Sequence, residues 1–302
     1  MNIKVRAPGS CGELVQGTLG GVNFLITCPI NWYSEAEASI GGTDTPVSKP
    51  KVVKAVNQTL QYLGSSLSIG INITSDLPEG KGMASSSADI SAACQATAIA
   101  VTGRMLTCDE VADIALDIEP TDGIFFPGIT MIDHIKGTIR RVLGQPPPIY
   151  IAVFDAGGEV DTLAFNNRQD LARLNQEKAA RVSQAADLVI RGIRTGDASL
   201  VGKGATISAL ANQSILYKPC LETLIHLAES FGAVGVCAAH SGTVIGVLFD
   251  AGKMKRHTEC VNAICSICKE VTYLKTVELI AGGLEIIGVT EISGREKRYG
   301  YA

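Results

Sequence analysis

The chain has 302 residues, 46% hydrophobic and 19% charged, which suits a globular protein with a sizeable core in one large domain or two ordinary ones. A formal net charge of −4 argues against nucleic acid or an anionic membrane surface as the main partner, and no apolar stretch reaches transmembrane length. The opening Met1 to Gly9 reads as a first strand and not as a signal peptide, and nine scattered cysteines without such a signal fit free thiols in the cytoplasm.

In chain order, residues 3–7 alternate as a short strand. A stretch rich in glycine and small polar residues follows, then a strand over 32–38. Ser48 and Pro50 start a helix whose Val52, Val53, Val56, Leu60 and Leu63 share one face, and Gly64 ends it. Residues 69–74 form a strand. Residues 84–101 form a helix with Gly103 as its stop signal. Thr107 and Glu110 make a capping box for another helix, with Val111, Ile114, Ala115 and Ile118 on its apolar side, and residues 119–123 break it.

Between strand 69–74 and helix 84–101 lies Pro78-Glu-Gly-Lys-Gly-Met-Ala-Ser-Ser-Ser-Ala88. Gly80 and Gly82 let backbone N–H groups approach a ligand, and the helix start adds its positive dipole end, which together suit a polyphosphate. Ser85, Ser86 and Ser87 offer hydroxyls for the Mg²⁺ that accompanies a nucleotide. A plainer reading stays open: the serines cap the helix, with Asp89 three residues after Ser86. The segment is not a Walker A loop, because no Gly-Lys-Ser/Thr follows. It is not a dinucleotide fingerprint either, because Ser85 stands where the third glycine belongs.

Gln145-Pro-Pro-Pro148 marks the clearest boundary, dividing residues 1–146 from 149–302. After it come a buried strand over 149–155 and helices over 168–193, 197–211 and 220–230. Strands 233–238 and 243–249 flank a tight turn at His240, Ser241 and Gly242. A helix over 251–267 and strands near 271–279 and 284–289 complete the pattern, which matches a ferredoxin-like sandwich with extra helices. Cys265 and Cys268 have zinc-like spacing, but no second pair exists and the segment reads as an amphipathic helix, so packing is the simpler role.

Three segments in this order resemble the GHMP kinases, small-molecule kinases named after galactose, homoserine, mevalonate and phosphomevalonate. Ala7-Pro-Gly-Ser-Cys-Gly-Glu13 is similar to the family's N-terminal motif. Pro78 to Ala88 is similar to its Pro-x-x-x-Gly-Leu-x-Ser-Ser-Ala phosphate loop, with Met83 in place of leucine. Ala239-His-Ser-Gly-Thr-Val-Ile-Gly246 resembles its C-terminal glycine motif. Within the family, Ala7 to Gly17, Lys81 to Asp89 and Glu119 to Asp122 look most like the members that phosphorylate free L-threonine during adenosylcobalamin synthesis.

The resemblance implies an α+β, two-domain fold: an N-terminal left-handed βαβ domain and a C-terminal ferredoxin-like domain, with ATP in the cleft. It implies that Pro78, Glu79, Gly80, Lys81, Gly82, Met83, Ala84, Ser85, Ser86 and Ser87 bind ATP, with Ser86 and Glu119 at Mg²⁺. Ser87 competes for the same register, and Glu119 has the alternative of a surface carboxylate. Asp122 falls near the catalytic aspartate of some members and otherwise reads as an Asp-Gly turn. Ser10, Gly12 and Glu13 face the acceptor site, joined by His240, Ser241 and Gly242. The hairpin tip aims N–H groups at an anion, although His240 also reads as a plain turn residue. Glu13 or Asp155 meets the acceptor's ammonium. Another GHMP kinase, such as a homoserine kinase, and a non-catalytic ligand sensor are the competing functions.

Overall fold

The computed structural model describes residues 2–42, 49–158, 168–290 and 296–297, so Ser48 lies outside the described residues. Strands β1 (Asn2–Leu19) and β2 (Val22–Ile40) form one long antiparallel hairpin. Its two-residue turn is Gly20–Gly21, both at positive φ, as a tight primed turn demands. The sequence reading expects strands only over 3–7 and 32–38. The glycine-rich stretch between them instead stays in the ladder, because register shifts at Pro8/Gly9, Ser10/Glu13 and Glu13/Val15 absorb its irregularity.

Helix α1 (Pro50–Tyr62) leads to β3 (Ile69–Ser75), then to α2 (Ser85–Thr102), α3 (Cys108–Ile118) and strands β4 (Ile129–Ile132) and β5 (Arg140–Gly144). The capping box on Thr107 and Glu110 forms in both directions. Strands β3 and β4 both pair with β2, at 34–40 and at 25–26 respectively. Helix α2 is buried nearly all round. Its Ala88, Ala92, Ala93 and Ala96 are small enough to seat it between the β1–β2 hairpin and the other helices.

The second half runs β6 (Ile149–Asp155), α4 (Leu171–Thr195), α5 (Ala198–Ala211), α6 (Leu221–Ser230), β7 (Gly235–Ala238), β8 (Val244–Asp250), α7 (His257–Ile267) and β9 (Thr272–Glu278). Its strand order β7-β8-β6-β9, antiparallel at every pairing, is the ferredoxin-like order expected. The helix expected from 251 starts later. Residues Ala251–Arg256 form a 3₁₀ stretch interrupted at Lys253, which leaves helical φ/ψ. Cys260 and Cys268 are buried in the core beneath this sheet, and Cys265 packs against it.

Strand β10 (Glu285–Thr290) returns to pair with Asn2 to Arg6 of β1, and Glu285 takes the Arg6 guanidinium at 2.6 Å. Residues 285–290 therefore sit in the sheet of the first half, although the sequence reading groups them with the second. Strand β11 (Glu296–Lys297) pairs with β10. The two halves share one continuous sheet, joined where Glu13 of β1 pairs with Ala238 of β7.

Candidate active site

Helix α2 begins in an unusual way. Gly80, Gly82 and Ala84 have φ of 70°, 82° and 55°, alternating with residues of ordinary φ. Alternation of this kind turns successive N–H groups to one side and makes a concave anion cradle. Ala84 is the N-cap residue, and no side chain caps the helix. The capping alternative read from the sequence is therefore set aside. Asp89 is buried instead, accepting from Ser34 Oγ at 2.5 Å and from Lys49 Nζ at 2.6 Å. The first-turn N–H groups of Ser85, Ser86 and Ser87 have no intrahelical acceptor and remain open to a ligand.

The three sequence motifs meet backbone to backbone. Ser10 N donates to Met83 O at 3.0 Å, and Gly12 N to Gly82 O at 3.1 Å. Thr243 N and Val244 N both donate to Lys81 O, at 2.8 and 3.0 Å. The glycines permit this approach. A Cβ on Gly82 would lie 2.4 Å from Ala239 Cβ, one on Gly12 2.4 Å from Ala239 N, and one on Gly242 2.4 Å from Lys81 O. Gly12 and Gly242 thus serve the packing of the three motifs against one another.

A cavity of about 390 Å³ opens in front of the cradle. Glu79, Gly80, Gly82, Met83, Ala84 and the three serines line it from the loop. Glu13, Glu119, Asp122 and Ser241 line it from the other segments. Pro78 and Lys81 do not reach it. The Lys81 ammonium turns away to Asp155 at 3.0 Å and to Gly158 O. Asp155 also accepts from Thr243 Oγ1 at 2.6 Å and stays outside this cavity, so of the two carboxylates expected for the ammonium Glu13 is the one that lines it. Ser10 is buried, donating to Gly12 O and Cys28 O, and it too stays outside the cavity.

Two hydroxyl–carboxylate pairs cross the cavity. Ser86 Oγ donates to Glu119 Oε1, while Lys51 Nζ holds Glu119 Oε2 at 2.5 Å. Ser87 Oγ donates to Asp122 Oδ2 and accepts from Asp122 N, both at 3.3 Å. Desolvation, with the charges of Glu13 and Glu119 nearby, pushes the Asp122 carboxyl up to about 7. Ser86 and Glu119 supply a hydroxyl and a carboxylate in contact, hard oxygen donors of the kind Mg²⁺ takes.

Glu13 is buried at the joint between the halves. Its Oε2 accepts from His240 N at 2.9 Å and lies 3.0 Å from His240 Nδ1. Desolvation pushes this carboxyl up to about 7 as well. Burial holds the His240 ring neutral. Its Nδ1 faces the oxygens of Glu13 and Ala238 and so carries the proton, leaving Nε2 to accept from Ser208 Oγ at 3.0 Å. His240 N and Thr243 N are engaged by protein acceptors, so those two amides of the hairpin turn are not free for an anion as expected. Sequence reasoning missed Lys49, Lys51 and His134, which line this cavity from positions that no motif marks, and Gln16, which lines it from within the Ala7 to Gly17 segment without having been singled out.

Residues 50–126 match the model of the GHMP kinases N terminal domain, and residues 189–266 match that of the GHMP kinases C terminal. The chain is 34% identical over 260 residues to an L-threonine kinase of Salmonella typhimurium, covering 83% of each. It is 32% identical over 254 residues to an L-threonine kinase of Citrobacter freundii, covering 82% of this chain and 86% of that one. Among solved structures it resembles a homoserine kinase from Cytophaga hutchinsonii, with TM-score 0.71 and 18% identity over 95% of this chain and 97% of that one. The mevalonate kinase of Methanococcus jannaschii matches with TM-score 0.68 and 15% identity over 91% and 98%. With an open helix start facing carboxyls across one cavity and both family domains in place, the chain belongs to the GHMP kinases, as an ATP-dependent phosphotransferase acting on an alcohol group.

Proposed function

We propose that the protein is a cytoplasmic L-threonine kinase. It transfers the γ-phosphoryl group of ATP to the side-chain hydroxyl of free L-threonine, giving O-phospho-L-threonine and ADP, and so feeds aminopropanol phosphate into cobalamin synthesis. The observation that carries the site reading is the uncapped start of α2, open to a cavity that also holds Glu13, Glu119 and Asp122. The threonine assignment rests on the two relatives of that name. The domain boundary falls at Gln145 to Pro148.

In this reading the amides of Ser85, Ser86 and Ser87 and the cradle at Gly80 to Ala84 hold the β- and γ-phosphates. Ser86 and Glu119 would hold Mg²⁺, which supplies neutralising charge at the phosphate oxygens. Asp122 takes the proton of the acceptor hydroxyl as its oxygen attacks the γ-phosphorus and the bond to ADP breaks. Its carboxyl, pushed up to about 7, has an affinity for that proton well above that of an ordinary aspartate. Ser87 orients Asp122, and the Glu13 carboxylate receives the ammonium.

Measuring kcat/KM for threonine, serine and homoserine at saturating Mg-ATP tests the acceptor. Serine lacks one methyl group, a contact worth ~1–3 kcal/mol, and is expected to be a detectable, poorer substrate. Homoserine moves its hydroxyl off the in-line position and is expected to be poorer still. A homoserine value above that of threonine refutes the threonine assignment. ATP binding without turnover of any acceptor refutes catalysis in favour of a sensor.

The serines separate by what each touches. Ser86→Ala is expected to lower kcat and to raise the Mg²⁺ concentration needed for half-maximal rate. Ser87→Ala is expected to leave that concentration unchanged and to shift the pH profile, because it releases Asp122. A reversed pattern moves the metal contact to Ser87.

A further inference from the structure

A second cavity, of about 620 Å³, adjoins the first, and Gln16 and His134 line both. The two spaces differ sharply in charge. The first holds the acids Glu13, Glu79, Asp89, Glu119 and Asp122, of which Glu79, Asp89 and Glu119 are paired with its lysines Lys49 and Lys51, whereas no acidic residue lines the second among the described residues. The second is walled by the amides of Asn23, Asn175 and Asn212 and by the cations Arg168 and Lys178. Arg168 is held by Asp170, with Nη2 at 2.7 Å, and donates to Ile215 O. Lys178, on α4, is buried, and its Nζ donates to the neutral Asn212 Oδ1 at 2.9 Å.

Where the cavities join, two buried polar atoms lack a partner: Gln16 Oε1, an acceptor, and His134 Nδ1, the N–H donor of a neutral ring whose Nε2 accepts from Gln16. The other ends of these side chains face each other, with Gln16 Nε2 3.4 Å from His134 Nε2. Desolvation lowers the His134 ring to about 4, so it is neutral at the neck. A buried polar atom left unpaired costs ~1–3 kcal/mol, and a polar ligand at the neck would relieve it.

We propose that the second cavity receives the carboxylate of an α-amino-acid acceptor, with the Lys178 ammonium as its counter-ion and Gln16 and His134 contacting the part that threads the neck. The inference rests on the kinase reading and extends it to a residue and a charge. An amino acid bound this way has its carboxylate on the acid-free side. Its ammonium lies toward Glu13 and its hydroxyl toward Asp122, so the charge contrast of the two cavities fixes its direction. Burial pulls the Lys178 ammonium down to about 8, which leaves it mostly charged at neutral pH. The second buried lysine near Glu13, Lys218, donates to Ala239 O at 2.7 Å and lines neither cavity.

The test compares L-threonine with L-threonine amide, which keeps the shape and ammonium and loses the negative charge. The wild-type protein is expected to prefer threonine about 100-fold or more in kcat/KM. Lys178→Gln is expected to raise KM for threonine about 100-fold, leave KM for ATP unchanged, and cut the preference over the amide to below about threefold. Lys178→Arg, which keeps the charge, is expected to restore much of the preference, and thermal unfolding of each variant checks that it folds. Equal losses for threonine and the amide, or a wild-type protein indifferent to the carboxylate, overturn the assignment. If serine or homoserine proves the better acceptor, the same comparison is made with its amide. The threonine reading then falls, while the result at Lys178 stands or fails on its own.

Discussion

Asp122→Asn is expected to lower kcat/KM about 100-fold or more while making the free protein more stable above pH 7. The activity loss follows from removing the group placed to take the hydroxyl proton, a role worth roughly 10²–10⁴ in rate. The stability gain follows from linkage. Asp122 holds its proton up to about 7 in the native state, against an ordinary value of 3.8. Between those values the native protein binds a proton that the unfolded chain has released, so stability falls as pH rises from about 4 to 7. Above 7 the native state carries the full cost of that desolvated charge, on the order of 4 kcal/mol for a shift from 3.8 to about 7, and asparagine removes it. Thermal unfolding from pH 5 to 8 without nucleotide or Mg²⁺ should therefore show a shallower decline for the variant. Part of the slope remains, because Glu13 is also pushed up to about 7. Equal slopes in the two proteins would show that Asp122 titrates normally.

The second large effect is expected at Gly82, and its cause is packing. Gly82→Ala places a Cβ 2.4 Å from Ala239 Cβ, at a φ of 82° that side chains avoid. Strain and overpacking together should cost about 2–5 kcal/mol and loosen the junction of the three motifs. Pairing the change with Ala239→Gly removes the closest contact but not the φ strain or the 3.1 Å approach to Gly242 Cα, so about half of the loss should return in thermal unfolding. If Gly82→Ala instead abolishes ATP binding with no loss of stability, the glycine serves the ligand directly. Gly82→Asp is the less informative change, since it adds charge beside the phosphates to the same clash.

Local patterns made much of this molecule readable in its sequence. The capping box at Thr107 and the stop at Gly103 depend on near neighbours, and each lies where the sequence places it. The middle of the β1–β2 hairpin is not legible locally, because bulges that let a glycine-rich segment stay in a sheet are set by partners across the ladder. The motif residues split for the same reason. A glycine that admits a ligand and one that admits a neighbouring backbone look alike in sequence, and only the fold separates Gly80, at the cavity, from Gly242, beneath the loop. His134 and Lys178 carry no signal, since they come from the segment after β4 and a helix and converge with Gln16 of β1 only in space.

The pairing of β10 with β1 bears on how the chain is made. Asn2 lies opposite Thr290, so β1 waits for a strand translated long after it. At ~5–20 residues per second, that delay is tens of seconds. Until then one edge of β1 stays open beside Ile3 and Val5, a row of unpaired amides and carbonyls on a nascent chain. The first half thus cannot finish folding as an independent unit during synthesis. The emergence of β10, and not that of Gln145 to Pro148, becomes the moment at which the sheet of the first half is completed.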